Sequence, residues 1–204
     1  MSYALSILLG YLLGSSSMAY YLGRIKHQDV RKVGTGNLGA SNTAVVFGWG
    51  AAVLVAVHDI GKAVIAVLLA KHLFPGAEYA GAAAGVAAVL GHIYPFYLNF
   101  KGGKGLASYF GLVLALNWKL AILVAVVLVA VTVITDFISL AAISTVILVP
   151  IYAWLVLGSA PMALILAVGS AVMLLKHREN IVRIIRKEEI GLRSTAKGEN
   201  RVDK

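Results

Sequence analysis

The chain has 204 residues, of which 60% are apolar and only 13% are charged. Soluble domains average about 45–50% apolar and about 25% charged residues, because charge covers a water-facing surface. These proportions exclude an ordinary soluble enzyme and a disordered chain. The absence of cysteine excludes a disulfide scaffold, thiolate catalysis and cysteine-ligated zinc or iron–sulfur clusters. The sequence therefore predicts an all-α, polytopic membrane protein.

About seven apolar stretches have the length expected of membrane-spanning helices, or nearly so. The stretch Leu106–Leu116 is short for a full crossing, so we expect it to be tilted or incomplete. The last long stretch is divided by Gly158–Pro161, a turn signal. In chain order the stretches are Met1–Gly23, Phe47–Leu73, Tyr79–Phe100, Leu106–Leu116, Leu120–Thr135 and two helices within Phe137–Leu175.

The basic residues indicate the orientation of these spans. Whether seven or five stretches cross, residues 24–46, residues 101–105 and the tail from Lys176 fall on one side of the membrane. Fifteen of the 18 lysines and arginines lie in these three segments. The positive-inside rule predicts that they are cytoplasmic and that the N-terminus is outside. We expect one membrane domain, residues 1–185, followed by a basic cytoplasmic tail, residues 186–204, and no nucleic-acid partner.

The first cytoplasmic segment contains a glycine-rich stretch. Gly34, Gly36 and Gly39 spell G-x-G-x-x-G, but that fingerprint marks a dinucleotide site only between a strand and a helix. Glycines still let backbone N–H groups approach an anion, and a helix starting after Ala40 would direct its positive end there. The pattern predicts a phosphate site, with a polar turn and helix cap as the alternative. Four side chains add polar groups: Thr35, Asn37, Ser41 and Asn42.

The second cytoplasmic segment is basic and also rich in glycine. Lys101 and Lys104 alternate with Gly102, Gly103 and Gly105 at the start of a span. This pattern favours anion binding, although it lacks the spacing of a nucleotide-hydrolysing P-loop. The alternative is a basic turn that only flanks the membrane.

The third cytoplasmic segment continues the last span. On a helix, His177, Asn180 and either Arg183 or Ile184 share one face. A histidine beside an amide and arginines suits the binding or polarisation of an oxygen anion. A snorkelling basic helix end is the alternative. For the tail beyond Arg186 we prefer attraction to anionic lipid headgroups.

One ionisable pair lies inside a predicted span. Asp59 and Lys62 are three residues apart, on one helix face. Because intramembrane charges cost free energy, the pair is either functional or an ion pair that joins helices, and both interpretations stay open. No His, Asp and Glu cluster has metal-ligand spacing, so no metal or cofactor is expected. No nucleophile motif is present either.

These segments, in this order, resemble the bacterial membrane acyltransferase family that transfers fatty acid from acyl phosphate to glycerol 3-phosphate. The similarity covers nearly the whole chain. The matching elements are Gly-Thr-Gly-Asn-x-Gly-Ala-Ser-Asn at residues 34–42, Asp59-x-x-Lys62, the run from Gly91-His92 to Gly105, and His177-Arg178-x-Asn180-Ile181-x-Arg183 followed by Glu189.

The resemblance implies a role for each motif. The loop from Lys101 to Gly105 would bind glycerol 3-phosphate. Thr35, His177 and Asn180 would be needed for activity, and Glu189 for structure. The implied reaction gives lysophosphatidic acid and phosphate, without a cofactor, at the cytoplasmic face of a bacterial inner membrane. Supporting roles would fall to the remaining motif residues, namely His92, Asp59, Lys62, Arg178 and Arg183.

The implied chemistry brings together two phosphates, each carrying about −1.5 to −2 charges. Arg31, Lys101, Lys104 and glycine N–H groups could neutralise them. Proton removal could fall to His177 or to a substrate phosphate. Val45 stands where family members usually carry an arginine. Val45 favours a silent, lipid-binding relative as one alternative, and the intramembrane Asp59 and Lys62 favour a transporter of small organic phosphates as another.

Overall fold

The computed structural model describes residues 1–193. Within those residues the chain forms nine α-helices, two short 3-10 turns and no strand, so the all-α prediction is confirmed. The 3-10 turns are Val30–Lys32 and Phe96–Leu98. The helices are α1 (Ser2–Ser15), α2 (Met18–Ile25), α3 (Ala40–Phe47), α4 (Trp49–Leu73), α5 (Ala80–Ile93), α6 (Leu106–Leu116), α7 (Trp118–Thr135), α8 (Ile138–Leu155) and α9 (Ala160–Ile185).

Six helical stretches of the described chain are long and apolar enough to cross a membrane. The 11 residues of α6 extend for only about 16 Å, roughly half of a hydrocarbon core. The seven expected apolar segments thus correspond to six helical stretches that are long enough to cross and to the short helix α6. The six are Ser2–Ile25, Trp49–Leu73, Ala80–Leu98, Trp118–Thr135, Ile138–Leu155 and Ala160–Ile185.

The packing divides the chain into two compact units, Met1–Trp118 and a second that begins at Lys119. In the first unit α5 is almost entirely buried, and α1 packs along it. A Cβ atom at Gly10 or Gly14 of α1 would collide with the carbonyl oxygens of Ala84 and Ala88. These small residues therefore let two backbones touch, which is a common way for helices to associate in lipid.

The first predicted span, Met1–Gly23, is two helices rather than one. Helix α1 ends at Ser15, and α2 begins at Met18. Ser16 leaves the helical conformation with ψ of 134°, and the Ser17 hydroxyl caps α2 by accepting from the Tyr20 N–H at 3.4 Å. Serine competes well for backbone hydrogen bonds, so a Ser-Ser pair allows this break. The break leaves the Ser16 carbonyl available to another partner.

In the second unit, α8 and α9 pack against each other. The turn predicted at Gly158–Pro161 is confirmed: α8 ends at Leu155, Gly158 has φ of 65°, and the Ser159 hydroxyl caps α9. Helix α9 then runs to Ile185, ten residues beyond the predicted end of the apolar segment. The third motif is therefore the last part of a 26-residue helix.

Candidate active site

The first glycine-rich stretch, in the first unit, folds into a tight loop before α3. Gly34 and Gly36 have φ values of 61° and 69°, a conformation that glycine adopts without steric cost. The N–H of Gly36 donates to the Val33 carbonyl at 3.2 Å. Helix α3 begins at Ala40, one residue before the predicted start. The N–H of Gly36 thus closes the turn, and anion binding by the glycines of this loop stays a prediction.

Asn42 holds this loop from α3. Its side chain is buried, its Oδ1 accepts from the Thr35 N–H at 2.8 Å, and its Nδ2 donates to the carbonyls of Val30 and Val33 at 3.0 and 3.1 Å. Both amide hydrogens are thus used by the backbone of the loop. These contacts show that Asn42 positions the loop, and its predicted contact with phosphate stays a prediction.

Three other polar side chains of the motif take no part in such internal hydrogen bonds. Thr35 and Ser41 are exposed, and Asn37 is half-buried beside Gly39. Within residues 1–193 none of these three side chains has a hydrogen-bond partner. They are the groups of this loop that a ligand can use.

Arg31 of the same loop is already paired. Its Nε and one terminal nitrogen contact the two carboxylate oxygens of Asp29 at 3.0 and 2.9 Å. The side-chain hydrogen bond from Arg31 lowers the pKa of Asp29, and the same bond raises the pKa of Arg31. A carboxylate neighbour reduces the positive charge that Arg31 offers to a phosphate. The pairing of Asp29 with Arg31 was not predicted from the sequence, because only the basic residues of this segment were considered as binding groups.

Val45 lies next to the loop. Its Cγ1 is 3.5 Å from the position that a Cβ atom would take at Gly34, and the residue is 43% exposed. A longer side chain at position 45 therefore has room to extend over the loop. The arginine that the family resemblance leads us to expect here would bring a positive charge to this surface.

The second glycine-rich stretch folds back onto the end of α5. The N–H of Gly102 donates to the Ile93 carbonyl at 3.1 Å, and the N–H of Gly103 donates to the His92 carbonyl at 3.0 Å. A Cβ atom at Gly102 would collide with the same His92 carbonyl. The glycines are needed for this close approach. The N–H groups of Gly102 and Gly103 are used within the fold, Lys101 and Lys104 are the cationic groups of the loop, and anion binding at the two glycines stays a prediction.

Backbone strain precedes this loop. Asn99 and Phe100 both lie in the left-handed region, with φ of 54° and 57°, and Gly105 follows with φ of 96°. A left-handed phenylalanine costs on the order of 1–3 kcal/mol and persists only when its surroundings hold it. The Phe100 N–H donates to the Pro95 carbonyl at 3.1 Å, and the Lys101 N–H to the Leu98 carbonyl at 3.1 Å. The loop is thus held in one conformation.

The intramembrane pair of α4 is part of a buried network. Asp59 Oδ1 lies 2.8 Å from Lys62 Nζ, which also contacts the Ser16 carbonyl at 2.7 Å and His92 Nδ1 at 2.9 Å. Asp59, Lys62 and His92 are all buried. Buried ions are tolerated when paired and hydrogen-bonded, and here each charge has both. The network joins α4, the break after α1, and the end of α5 that carries the glycine-rich loop.

His58 and two tyrosines extend this network. His58 Nδ1 lies 3.4 Å from Asp59 Oδ1, and its Nε2 lies 3.0 Å from the Ser16 hydroxyl. That hydroxyl is 3.2 Å from the Tyr21 hydroxyl, which is 3.4 Å from that of Tyr97. Ser16 was missed because its role depends on the helix break.

In the second unit, Glu189 binds three side chains. Its Oε1 accepts from Ser139 at 2.7 Å and from Asn180 at 2.5 Å, and its Oε2 accepts from the Arg183 guanidinium at 2.7 Å. Burial alone would raise the pKa of Glu189, but the hydrogen bonds from Asn180, Ser139 and Arg183 outweigh burial and lower it. The shared face predicted for Asn180 and Arg183 is confirmed, and Ser139 was missed because nothing marked it in the sequence.

His177 is buried on the same helix, one turn before Asn180. Its Nδ1 lies 2.8 Å from the Met173 carbonyl, which can only accept a hydrogen bond. Nδ1 therefore carries the proton, and the lone pair of the neutral ring is on Nε2. Arg178 is exposed and is not part of the Glu189 cluster. Lys197, Arg201 and Lys204, which belong to the expected basic tail, lie outside the described residues.

The profile of the family described as glycerol-3-phosphate acyltransferase matches residues 4–187. A glycerol-3-phosphate acyltransferase of Mesorhizobium japonicum is 38% identical over 182 residues, covering 89% of this chain and 91% of the relative. One from Methylococcus capsulatus is 36% identical over 189 residues, covering 92% and 95%. One from Oceanobacillus iheyensis is 34% identical over 202 residues, covering 95% and 97%.

Two crystal structures of PlsY (YgiH), an integral membrane glycerol 3-phosphate acyltransferase, are similar to this chain. The glycerol 3-phosphate form has a TM-score of 0.89 at 30% identity and covers 97% of this chain and 98% of that one. The lysophosphatidic acid form has a TM-score of 0.85 at 30% identity and covers 94% and 95%. Profile, relatives and fold agree, and the chain belongs to the glycerol-3-phosphate acyltransferase family of integral membrane proteins.

Proposed function

We propose that this protein transfers a fatty acyl group from acyl phosphate to the 1-hydroxyl of glycerol 3-phosphate. The hydroxyl oxygen bonds to the acyl carbonyl carbon, the bond from that carbon to the phosphate oxygen breaks, and the products are lysophosphatidic acid and inorganic phosphate. The observation that carries the proposal is the full set of three polar motifs on a chain whose relatives bear this acyltransferase name and include forms with glycerol 3-phosphate and lysophosphatidic acid.

The choice of acyl phosphate as donor rests on the absence of a nucleophile motif and on the presence of cationic groups for two phosphates. It has no cysteine, and its sequence shows no motif for an enzyme-bound acyl intermediate. An acyl phosphate is already activated, so direct attack needs no such intermediate. The chain's contribution is then positioning and electrostatic stabilisation of the two phosphates. Lys101 and Lys104 are the cations we assign to glycerol 3-phosphate.

His177 is our first candidate for the proton acceptor. The Met173 carbonyl holds the proton of the neutral ring on Nδ1, so Nε2 presents a lone pair. A substrate phosphate remains the other candidate. Asn180 and Glu189 support this helix face, and Thr35 contributes its exposed hydroxyl to the binding of phosphate.

The placement we propose is the cytoplasmic face of a bacterial inner membrane. Fifteen of the 18 lysines and arginines support that side for all three motifs. The acyl chain would lie among the apolar helices and enter sideways from the lipid. Attachment of a bulky label to single cysteines introduced at positions 3 and 101 in whole cells tests this orientation. Position 3 should react from outside and position 101 only after the membrane is opened.

A weakened or silent relative is the second candidate, and Val45 is the observation that favours it. A chain short of one positive charge would still bind phosphate but turn over slowly. Glycerol 3-phosphate binding without product formation would identify it. Transport is less well supported, because the buried Asp59–Lys62 pair that suggested it has its hydrogen bonds satisfied inside the fold.

The direct test uses purified protein in detergent with glycerol 3-phosphate and either palmitoyl phosphate or palmitoyl-CoA. We expect lysophosphatidic acid and equimolar phosphate from the first donor only. Lys104→Ala should lower the rate at least tenfold, because a charge-assisted contact to phosphate is lost. Lys119→Ala is the matched control, since it removes the same charge from a residue outside the three motifs. Equal rates for Lys104→Ala and wild type would refute the assignment of Lys104.

A further inference from the structure

The buried imidazole of His92 has no part in the reaction proposed so far. His92 is 6% exposed and lies at the end of α5, where the chain turns into the glycine-rich loop. One of its two ring nitrogens is held by the Asp59–Lys62 network. The other, Nε2, has no hydrogen-bond partner within residues 1–193. Among the described residues Ser108 Oγ alone is a fully enclosed side-chain polar atom without a partner, so Nε2 of His92 retains some access from outside.

The partners of Lys62 fix the tautomer of His92. An ammonium group has three hydrogens and no acceptor site. Lys62 Nζ has three neighbours at hydrogen-bond distance: the Ser16 carbonyl at 2.7 Å, Asp59 Oδ1 at 2.8 Å and His92 Nδ1 at 2.9 Å. His92 Nδ1 also lies 3.3 Å from Asp59 Oδ1, but the ammonium is nearer and its other two neighbours are oxygen acceptors, so we assign the Nδ1 lone pair to Lys62. A neutral ring with its lone pair on Nδ1 carries its hydrogen on Nε2.

This arrangement also prevents His92 from acting as a base. The lone pair that would take up a proton is the one on Nδ1, and Lys62 already occupies it. A proton there would face an ammonium 2.9 Å away and would break the network. His92 is thus a neutral hydrogen-bond donor. His177 is its opposite, because the Met173 carbonyl holds the proton of His177 on Nδ1.

The Nε2–H of His92 lies against the glycine-rich loop. A Cβ atom at Gly103 would overlap Nε2, and its three nearest neighbours are all atoms of the His92 ring. The Gly103 N–H donates to the His92 carbonyl at 3.0 Å. Ring and loop are thus locked together, and Lys104 follows at the next position. The one donor of His92 that is not spent inside the protein is placed beside the lysine loop.

We propose that His92 is a substrate-binding residue whose Nε2–H donates a hydrogen bond to a phosphate oxygen of glycerol 3-phosphate, with Lys62 fixing the tautomer. The inference rests on the proposed function, because that function places the phosphate at this loop. Asp59, Lys62 and Ser16 are positioning residues. Asp59 and Lys62 together add no net charge, so the network orients a donor without changing the charge of the site.

Two substitutions of His92 separate the two ring nitrogens. Gln places an amide N–H close to the position of Nε2, whereas Asn places its polar atoms close to Nδ1 and leaves the Nε2 position empty. We expect His92→Asn to raise the KM for glycerol 3-phosphate about tenfold or more, the effect of losing one hydrogen bond to a charged group. His92→Gln should recover most of that loss. The KM for palmitoyl phosphate should stay within about twofold in both.

The matched control is His72→Asn, which makes the same change at an exposed histidine of α4. A rise in the KM for palmitoyl phosphate alone, or equal KM values for glycerol 3-phosphate in wild type and His92→Asn, would overturn the proposal. Wild-type protein without turnover would instead refute the proposed function. Titration calorimetry with glycerol 3-phosphate then measures the same difference between variants without any reaction.

A second measurement covers the case in which a His92 variant does not fold. Nitrogen-15 NMR of histidine-labelled wild type reports which ring nitrogen carries hydrogen. With the His92 signal identified by Lys62→Arg, which alters its Nδ1 partner, we expect hydrogen on Nε2 and a shift of that nitrogen on addition of glycerol 3-phosphate. Hydrogen on Nδ1, a doubly protonated ring, or an unchanged Nε2 signal at saturating glycerol 3-phosphate would each contradict the proposal.

Discussion

At the scale of single residues, the same side-chain type serves opposite purposes in different surroundings. A carbonyl beside Nδ1 of His177 makes Nε2 an acceptor, whereas an ammonium beside Nδ1 of His92 makes Nε2 a donor. The residue type alone does not indicate which ring nitrogen of a histidine carries the hydrogen. The tautomer of a histidine is set by the partner of its other nitrogen, and that partner is known only from the fold.

The first prediction concerns His177. If its Nε2 accepts the proton of the attacking hydroxyl, His177→Ala should lower kcat at least tenfold, since general base catalysis contributes about 10² to 10⁴ in rate. Initial rates at saturating glycerol 3-phosphate and palmitoyl phosphate give kcat. His72→Ala, at an exposed site, should keep the wild-type rate. A wild-type kcat for His177→Ala would leave a substrate phosphate as the proton acceptor.

The second prediction concerns Val45. Position 45 is partly exposed to solvent. An arginine there can extend over the Gly34 loop and add one positive charge beside the proposed phosphate site. We expect Val45→Arg to raise kcat/KM for turnover at least fivefold. Val45→Met is the control, because it lengthens the side chain without charge. Equal turnover in wild type and Val45→Arg would mean that the chain already compensates for the missing arginine.

At the scale of elements, the glycines of the second loop act through close packing. A Cβ atom at Gly103 would displace the His92 ring, whereas a Cβ atom at Gly61 of α4 would meet nothing within 4 Å. Gly103→Ala should therefore lower turnover at least tenfold, and Gly61→Ala should leave it within about twofold. Both variants are assayed at the same protein concentration after their melting temperatures are compared. Equal turnover of the two would show that the loop tolerates movement of His92.

The hydrogen bonds between Glu189 and the C-terminal part of α9 depend on pH. The folded pKa of Glu189 lies below its usual value, so its hydrogen bonds stabilise the fold above about pH 4.3 and are lost as the pH falls through the folded pKa. Glu189→Gln should melt several degrees below wild type at pH 7. That gap should narrow as the pH is lowered from 5 to 3.5. A gap that is constant with pH would show that the carboxylate charge does not contribute.

Much of the element order could be predicted from sequence. Runs of apolar residues placed the long helices, and Gly158–Pro161 placed the turn before α9. The break at Ser16 could not be predicted, because it depends on Lys62 of another helix, which donates a hydrogen bond to the freed Ser16 carbonyl. The packing of Gly102 and Gly103 against the end of α5 could not be predicted for a similar reason. Their N–H groups are spent on α5, and a sequence does not show which carbonyls lie nearby.

At the scale of the whole molecule, each of the two compact units carries part of the motif set. The first holds both glycine-rich loops and the buried network, and the second holds His177, Asn180 and Glu189. The motif residues could be found from sequence because polar groups are conspicuous in an apolar chain. Their structural partners, Asp29, Ser16 and Ser139, could not, because nothing in their own neighbourhood distinguishes them.

The reaction we propose for this protein is acyl transfer from acyl phosphate to glycerol 3-phosphate. The most direct measurement incubates purified, folded protein with palmitoyl phosphate and radiolabelled glycerol 3-phosphate and follows both products. We expect labelled lysophosphatidic acid and inorganic phosphate in equal amounts, with His177→Ala and Lys104→Ala each at least tenfold slower. No lysophosphatidic acid from palmitoyl phosphate, or product from palmitoyl-CoA alone, would contradict it.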